Sequence, residues 1–362
     1  RGVHATPFSF IETYMQIALM IFAALAIPTL GIFVTGALIS APRHKGPVSD
    51  HFDGSRFVNP TGVKPKGGRA LLKWMMHRKP GRWIADDGKD YGARPLTNCK
   101  DGIRVTFVNH ATFLIQVDGV NILTDPVWSR RVSPYRWIGP KRMRPPGLRL
   151  EDLPRIHLVL LTHNHYDHLD IDTMHTVFGA HHPKIIAPLG VKAFLDSESI
   201  SGAMEADWWQ TISLSALIEV QSVPAQHFSG RGLLDRDATL WCGYVLKTSA
   251  GNIYFAGDTG YNPVTFKEIG EKCGPMRISM LPIGAYKPEW FMSPIHVSPD
   301  ESIKIHLDVK SAMSIGMHFG TFPLADDGKD DPLADLEKAK QKYNLETGAF
   351  VALKEGEPRI FD

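Results

Sequence analysis

The sequence predicts an α/β protein in which two mixed β-sheets pack face to face and helices cover their outer sides. Three observations favour this fold class: two hairpin patterns, several short apolar strands, and helical patterns between the later strands. Parallel strands need helical cover, so hairpins followed by alternating strands and helices fit two such sheets. At 362 residues, with 43% hydrophobic and 22% charged residues, the chain has an ordinary globular composition and can bury a full core.

The predicted elements begin near Ile103. Residues 103–108 alternate like a strand, and residues 113–117 and 120–124 form a hairpin across an Asp-Gly pair, which tolerates the positive φ angles of a two-residue turn. The other predicted strands lie at 156–161, 184–187, 218–223, 240–247, 252–256, 278–281 and 312–316, of which 240–247 and 252–256 form a second hairpin. The predicted helices lie at 264–273, 299–308 and 332–343, and a further helical stretch begins at Leu189.

The N-terminal segment, residues 1–45, contains a long apolar run. No charged residue occurs between Met15 and Ala41, and about twenty apolar residues are enough to cross a bilayer. We therefore predict a transmembrane helix over about 15–41; the alternatives are a signal peptide and a buried core helix. Such a helix predicts a membrane-anchored protein, at the inner or cell membrane if it is bacterial, and the basic residues at 43–45 indicate that the bulk of the chain lies on the cytoplasmic side.

Residues 46–100 are rich in glycine, proline and basic residues and are predicted to form a linker with one short helix at 69–79. That helix suits a membrane surface, and it equally suits an arm packed over the catalytic domain. The catalytic domain then covers residues 101–362. The three widely spaced cysteines include no Cys-x-x-Cys motif, which argues against a disulfide framework and against a zinc ribbon.

The most informative motif follows the apolar run 156–161. Four potential ligands, His163, His165, Asp167 and His168, fall within six positions. Neutral imidazole and carboxylate are ligands that zinc prefers, and the end of a buried strand can hold several of them on one rigid edge. The pattern predicts two adjacent metal ions, with His163 and His165 facing one ion and Asp167 and His168 facing the other.

Three further candidate ligands each come just after a predicted strand. They are His227, Asp258 in a Gly-Asp-Thr-Gly turn, and His318. A single histidine after a strand is usually structural, but three such residues flanked by glycine or proline indicate one shared site. Together with the motif they give seven ligands, which is enough for two ions if one aspartate bridges them.

The order of these groups resembles that of the metallo-β-lactamase superfamily, whose fold is an αββα four-layer sandwich. The resemblance covers roughly residues 101–325, and within the superfamily it indicates the N-acyl-phosphatidylethanolamine-hydrolysing phospholipase D group and its bacterial relatives. The segments that carry it are 109–112, 123–129, 163–170, 224–227, 257–261, 290–299 and 317–322.

The resemblance implies a ligand assignment and a reaction. The first zinc ion is held by His163, His165 and His227, the second is held by Asp167, His168 and His318, and Asp258 bridges the two. The implied cofactor is two Zn²⁺ per chain, with iron or manganese as alternatives. The implied reaction is hydrolysis of N-acyl-phosphatidylethanolamine to N-acylethanolamine and phosphatidic acid by a metal-bridging hydroxide.

The same resemblance gives His296 a place near the scissile phosphate, with a structural loop histidine as the alternative. The predicted catalytic residues are therefore Asp167, Asp258 and His296. Either Asp258 or His296 could return a proton to the departing alkoxide.

The segment 128–150 is basic, with interleaved aromatic residues and no acidic residue before Leu150. This composition suits anionic lipid headgroups, and membrane phospholipids are the predicted partner. The predicted substrate or membrane contacts are Trp128, Arg130, Arg131, Trp137 and Tyr166. A solvated basic loop is the alternative; no nucleic-acid partner is expected, and a homodimer is left open.

Other functions remain open at this point. The same fold and metals suit a hydrolase of a soluble ester, lactone or phosphodiester. A non-catalytic, membrane-tethered zinc protein is a further alternative, although the complete ligand set argues against a purely structural site. A flavin-linked di-iron enzyme of the same frame would be expected to have a carboxylate at His165 and a flavodoxin-like domain, and the chain has neither.

Overall fold

Two mixed β-sheets of seven strands each form the centre of the protein. The computed structural model describes residues 7–86 and 91–362; within the first helix, the side chains of residues 7–13, 23 and 25–29 lie outside the description. The first sheet contains β1 (Ile103–Asn109), β2 (Thr112–Val117), β3 (Val120–Thr124), β4 (Leu158–Leu160), β5 (Lys184–Pro188), β6 (Met204–Ala206) and the C-terminal strand β14 (Pro358–Phe361). The second sheet contains β7 (Thr211–Ser213), β8 (Glu219–Pro224), β9 (Cys242–Thr248), β10 (Gly251–Phe255), β11 (Met276–Pro282), β12 (Ser314–Met317) and β13 (Phe350–Val351).

In the described part of the chain, two helices precede the first strand, and six others lie between the later strands. They are α1 (Pro7–Leu38), α2 (Gly68–Met76), α3 (Ile171–His181), α4 (Val191–Ser197), α5 (Pro263–Lys272), α6 (Glu289–Met292), α7 (Pro299–Asp308) and α8 (Asp331–Lys342), with a short 3-10 helix at Leu150–Asp152. Helix α7 begins where predicted, because Ser298 accepts a hydrogen bond from Glu301 N–H while the Glu301 carboxylate accepts from Ser298 N–H. Pro299 adds a backbone already suited to the first helical position.

The strand order of each sheet combines antiparallel and parallel pairs, as predicted. The first sheet runs β14-β1-β2-β3-β4-β5-β6, with the β2–β3 hairpin turning at Asp118 and Gly119, whose φ angles are 51° and 75°. The second sheet runs β13-β12-β11-β10-β9-β8-β7. Strands β8 and β10 are both antiparallel to β9 and therefore share one direction, and β11 and β12 run parallel to β10. The ends of β8, β10 and β12 consequently meet at one edge of the second sheet.

The main hydrophobic core lies between the two sheets. Phe107 and Phe113 from the first sheet meet Phe255 from the second, and all three are fully buried. A second core lies on the other face of the first sheet, where Leu114 joins Val177 of α3 in one cluster of buried residues. Because both faces of this sheet are covered, its strands β1 and β2 are buried at every residue instead of alternating between buried and exposed residues.

Helix α1 occupies the stretch for which a transmembrane helix was predicted. Within the described parts of the chain, no helix combines the length and the apolar content needed to cross a membrane, so the prediction of a transmembrane helix over 15–41 is not supported. Part of that prediction, at positions 23 and 25–29, falls on side chains outside the description. Directly after α1, the backbone N–H of Ala41 donates to the buried carboxylate of Asp235 at 2.9 Å, which fixes the end of this segment to the catalytic domain.

The segment 43–86, here called the arm, packs over the catalytic domain. His51 contacts the Asp207 carboxylate at 2.8 Å, and Trp74 of α2 stacks on Phe291 with ring centroids 5.0 Å apart. These contacts favour the packed arm over a free membrane-surface helix. Helix α2 ends at Met76, before the predicted end at residue 79, because Pro80 disfavours helical backbone in the residue that precedes it.

Candidate metal centre

The first group of predicted ligands meets at the ends of β4 and β8. His163 Nε2 lies 2.9 Å from His165 Nδ1, and His227 Nε2 lies 3.3 Å from the same nitrogen. Burial lowers the pKa of all three histidines well below the usual value, and the charge of neighbouring histidines lowers it further. The three imidazoles are therefore neutral, which is the form that binds a metal ion.

The second group surrounds Asp167. Its Oδ2 lies 3.3 Å from His318 Nε2 and 3.5 Å from His168 Nε2. Burial opposes protonation of both histidines, but the carboxylates of Asp258 and Asp167 together outweigh burial and raise the pKa of both, that of His318 to about 9. Burial would likewise raise the pKa of Asp167 and Asp258, but the charge of His168, together with hydrogen bonds from His168 and His318, holds both well below the usual range. Both carboxylates are therefore ionised and attract cations.

Asp258 lies between the two groups, as predicted for a bridging ligand. Its Oδ2 is 3.1 Å from His318 Nε2, 3.3 Å from His168 Nε2 and 3.7 Å from His227 Nε2. Gly257, with φ of 62°, makes this placement possible, because a Cβ there would lie 2.8 Å from the Thr162 side chain. All seven predicted ligands are thus brought together from four separate places in the chain.

The residues fit a pair of metal ions. A tetrahedral ion with bonds of about 2.0–2.1 Å separates its ligand atoms by about 3.3 Å, and the distances within both groups are close to that value. His168 Nε2 and Asp258 Oδ1 are buried and, among the described residues, have no hydrogen-bond partner. Such atoms cost free energy unless a ligand satisfies them, so the geometry favours a bound cation over a purely hydrogen-bonded cluster.

Hydrogen bonds behind the ligands fix which imidazole nitrogen faces the site. His227 Nδ1 lies 2.8 Å from the carbonyl oxygen of Ile295, and His168 Nδ1 lies 2.7 Å from Asp125 Oδ2. Each acceptor holds the hydrogen on Nδ1, so in the neutral form of the imidazole, which is the form that binds a metal ion, the lone pair lies on Nε2. Asp125 is fully buried and also accepts hydrogen bonds from Thr162 N–H and Thr162 Oγ1–H.

Two residues of this site received no role from the sequence. His110 lies 3.0 Å from Asp167 Oδ2 and belongs to the same potential ligand group, while Asp125 supports His168. His110, Asp125 and His318 have φ angles of 47°, 30° and 60°, and such backbone strain in non-glycine residues is concentrated at functional sites. His110 and Asp125 lie in segments that carry the superfamily resemblance, but only the structure indicates what they contact.

A cavity of about 950 Å³ leads to the centre. The ligand residues in its wall include Asp167 and Asp258, and His296 also lines it, so the three predicted catalytic residues share this space. His296 Nδ1 lies 3.8 Å from Asp258 Oδ2 and has no hydrogen-bond partner in the described structure. The apolar part of the cavity wall includes Leu71, Trp74, Phe228, Phe291, Met292, Ile295 and Leu324. The charged part contains the cations Arg56, Lys64, Lys66 and Arg236 together with the carboxylates of Asp53 and Asp237.

The arm supplies much of this wall, which the sequence did not predict. Residues 56–68 together with Leu71 and Trp74 line the cavity, although the corresponding sequence reads as a linker. The sequence does not reveal which distant residues the arm contacts: the Trp74 indole donates a hydrogen bond to the carboxylate of Asp326, 252 positions away along the chain.

The predicted substrate contacts lie elsewhere. Arg130, Arg131 and Tyr166 line a separate basic cavity of about 500 Å³. Trp128 is half-buried and donates to the Leu148 carbonyl oxygen, while Trp137 is 75% exposed. None of these five lines the 950 Å³ cavity, so direct contact with a substrate at the metal centre is not supported for them. Charge and aromatic content predicted a basic surface but not its position relative to the ligands.

Comparison with known proteins identifies the family. Residues 120–319 match the family described as the beta-lactamase superfamily domain. The chain belongs to the metallo-β-lactamase superfamily. This superfamily member is 38% identical to N-acyl-phosphatidylethanolamine-hydrolyzing phospholipase D 1 of Caenorhabditis elegans over 84% of this chain and 92% of that protein. The predicted resemblance is therefore confirmed, and this superfamily member is a metal-dependent hydrolase.

Solved structures share the metallo-β-lactamase fold at lower identity. Igni18, a metallo hydrolase from Ignicoccus hospitalis, is 22% identical with a TM-score of 0.54, over 72% of this chain and 98% of that one. Isothiocyanate hydrolase from Delia radicum gut bacteria is 19% identical with a TM-score of 0.57, over 71% of this chain and 99% of that one. Likeness at this identity establishes the shared fold alone, and the predicted two-sheet α/β architecture is confirmed.

Proposed function

We propose that the chain is a dinuclear zinc phosphodiesterase that hydrolyses N-acyl-phosphatidylethanolamine to N-acylethanolamine and phosphatidic acid. The observation that carries the proposal is the 950 Å³ cavity, which joins the ligand cluster to an apolar wall and a cationic lining. A phospholipid has the matching parts: acyl chains for the apolar wall and an anionic phosphodiester for the cations and the metal centre. The named activity of the Caenorhabditis elegans relative supports the same reaction.

The proposed ligands follow the two groups in the structure. His163, His165 and His227 would hold the first ion, Asp167, His168 and His318 would hold the second, and Asp258, which lies between the two groups, would be shared by both. A metal pair held by these residues would stabilise charge on the phosphoryl oxygens and lower the pKa of a bound water molecule. Nitrogen and carboxylate ligands at these distances suit Zn²⁺, and the metal analysis described below separates it from iron and manganese.

The chain's own residues then orient the phosphodiester. A water oxygen forms the new bond to phosphorus, and the bond between phosphorus and the ethanolamine oxygen breaks. The attacking water gives up a proton and the departing oxygen needs one, so the reaction balances if that proton is passed between them. His296 lies in the cavity wall with 13% of its side chain exposed, and its Nδ1 has no hydrogen-bond partner among the described residues. Burial lowers the pKa of His296 to about 4, so the imidazole is neutral, and we assign to it the relay of the water's proton to the departing oxygen. The cationic lining holds the phosphate end of the lipid, and the apolar lining excludes water from the acyl chains.

We further propose that the enzyme works at the surface of a membrane. Helix α2 contributes Leu71 and Trp74 to the cavity, while Leu72, Met75 and Met76 of the same helix are 57–66% exposed. Apolar side chains that remain exposed beside a cavity for lipids suit insertion into the headgroup region of a bilayer. Replacing Met75 with Glu is expected to weaken sedimentation of the protein with phospholipid vesicles while leaving its metal content unchanged. Unaltered sedimentation would contradict this role for α2.

The proposed activity is tested by metal analysis combined with a lipid assay. Purified protein should contain two zinc ions per chain and release N-acylethanolamine from detergent-dispersed N-acyl-phosphatidylethanolamine. Soluble phosphodiesters, esters and lactones should be poorer substrates, and the His168→Ala variant is the catalytic control. Preferential hydrolysis of a soluble substrate would favour a different hydrolase, and two bound metals without hydrolysis of any substrate would favour a non-catalytic zinc protein.

A further inference from the structure

Asn59, in the arm, is joined to a proposed metal ligand by both of its side-chain groups. Its Oδ1 accepts a hydrogen bond from the backbone N–H of His227 at 2.9 Å, and its Nδ2 donates to the His227 carbonyl oxygen at 3.0 Å. The same amide donates to the Val63 carbonyl oxygen at 2.9 Å and accepts from Trp241 Nε1 at 3.0 Å. Asn59 is 5% exposed, so water does not compete for these four bonds.

We propose that Asn59 is a positioning residue of the first metal subsite, which consists of His163, His165 and His227. The inference rests on the proposed metal site and deepens it. His227 has two fixed points: its Nδ1 donates to the Ile295 carbonyl oxygen at 2.8 Å, which orients the ring, and Asn59 holds its backbone from both sides. The ring nitrogen that remains, Nε2, is thereby directed to the point where His165 also arrives.

The chemistry of the clamp requires a primary amide. One planar group must present an acceptor to an N–H and a donor to a C=O of the same residue, and asparagine does this with a short, rigid side chain. Aspartate keeps the acceptor but places a charge against the carbonyl oxygen, while alanine leaves both His227 groups buried and unpaired. Asn59 is 168 positions from His227 and lies outside the family match at 120–319, so the arm contributes to the metal site itself.

The test measures metal affinity in the full-length chain without any substrate. Zn²⁺ affinity is determined by chelator competition for Asn59→Ala and Asn59→Asp, each combined with His168→Ala to report the first ion or with His163→Ala to report the second. Removing a partner of this kind typically lowers metal affinity by about 10–100-fold, and we expect a loss in that range for the first ion in Asn59→Ala. We expect a smaller loss in Asn59→Asp and no change for the second ion. Visible absorption of the Co²⁺-loaded protein should change in the same two variants.

The matched control is His51→Gln, which loosens the arm at Asp207 without contacting any proposed ligand. It is expected to bind both ions as the unchanged protein does. If Asn59→Ala binds the first ion with unchanged affinity, or if both ions are lost equally in Asn59→Ala and His51→Gln, Asn59 is an ordinary structural residue and the inference is wrong. If the alanine variant does not fold, unchanged affinity for the first ion in Asn59→Asp would lead to the same conclusion. Unchanged binding in His227→Ala would instead contradict the proposed metal site.

Discussion

Replacing Asp125 with Asn should weaken binding of the second metal ion more than it weakens the fold. Asp125 is fully buried, and its Oδ2 lies 2.7 Å from His168 Nδ1 and 2.6 Å from Thr162 Oγ1, while Oδ1 accepts from Thr162 N–H at 2.8 Å. An asparagine can keep the carbonyl oxygen toward Thr162 N–H, and the Thr162 hydroxyl can rotate to accept from the new amide. His168 can adjust only by moving its hydrogen from Nδ1 to Nε2, because the amide NH₂ would otherwise face the Nδ1–H.

The magnitude follows from the tautomer of His168. To accept from the amide, the imidazole must carry its hydrogen on Nε2, the nitrogen that faces Asp167 and Asp258 at 3.5 and 3.3 Å. That nitrogen then has no lone pair for a metal ion. Loss of an outer partner of a ligating histidine typically lowers metal affinity by about 10–100-fold, equivalent to about 1.4–2.7 kcal/mol. Burial of the Asp125 carboxylate raises its pKa, so a neutral amide relieves a desolvation cost and the metal-free protein should lose no more than about 2 kcal/mol of stability.

The assay is chelator competition for Zn²⁺, together with urea unfolding of the metal-free protein. Asp170→Asn is the matched control, because Asp170 is also a buried acceptor of N–H and O–H groups, from Ser129 and Thr173, but it contacts no proposed ligand. It should leave the affinity for both ions unchanged. Two ions bound to Asp125→Asn with unchanged affinity would refute the reasoning, because His168 would then not depend on its hydrogen bond to Asp125.

Three further predictions concern the second metal ion, the packing of the arm, and the pH dependence of the free energy of unfolding. His168→Ala should lose the second ion and nearly all hydrolysis, and full turnover in a variant verified for metal content would contradict the ligand assignment. Trp74→Ala removes the stacking on Phe291 and should lower the free energy of unfolding by about 1–3 kcal/mol and raise KM for lipid, measured by urea unfolding and steady-state kinetics. Burial lowers the pKa of His51, but hydrogen bonds to carboxylates, that of Asp207 foremost, raise it above 6.5 overall. The contribution of protonated His51 to the free energy of unfolding should therefore be complete below pH 6.5 and be lost as pH rises through the folded-state pKa. Urea unfolding at several pH values should show this dependence, and His51→Gln should remove it.

The features that could be predicted from the sequence are those with a local signature. The helical pattern at 299–308 predicts helix α7 with its observed bounds, and the Asp-Gly turn predicts the β2–β3 hairpin. The seven candidate ligands could be brought together from the sequence because each follows a strand, and parallel strands deliver their ends to one edge. Strands of two or three residues, such as β6 and β13, show no usable period, and helix α3 was missed in the stretch that follows the metal motif.

The features that could not be predicted depend on contacts between distant positions. Asn59 and His227 carry no pattern that pairs them, and the Trp74 contact with Asp326 is equally invisible in one sequence. The basic segment shows the converse: charge and aromatic content were read correctly, but composition does not state which wall a residue lines. Arg130 therefore seemed a substrate contact and lies instead in a separate cavity.

The arm bears on both proposals made for the metal centre. The catalytic domain alone supplies the proposed ligands, and such ligands suit many hydrolases of this superfamily. The cavity beside them has one wall formed by residues of the segment 56–68 with Leu71 and Trp74, so the arm contributes to the site at which we propose that lipid binds. Asn59 of the same segment contacts the backbone of His227, a proposed ligand. In these two proposals the arm acts through different residues: Leu71 and Trp74 line the cavity, whereas Asn59 connects the arm to a proposed ligand, so a change at Asn59 should affect metal binding and a change at Trp74 should affect KM for lipid.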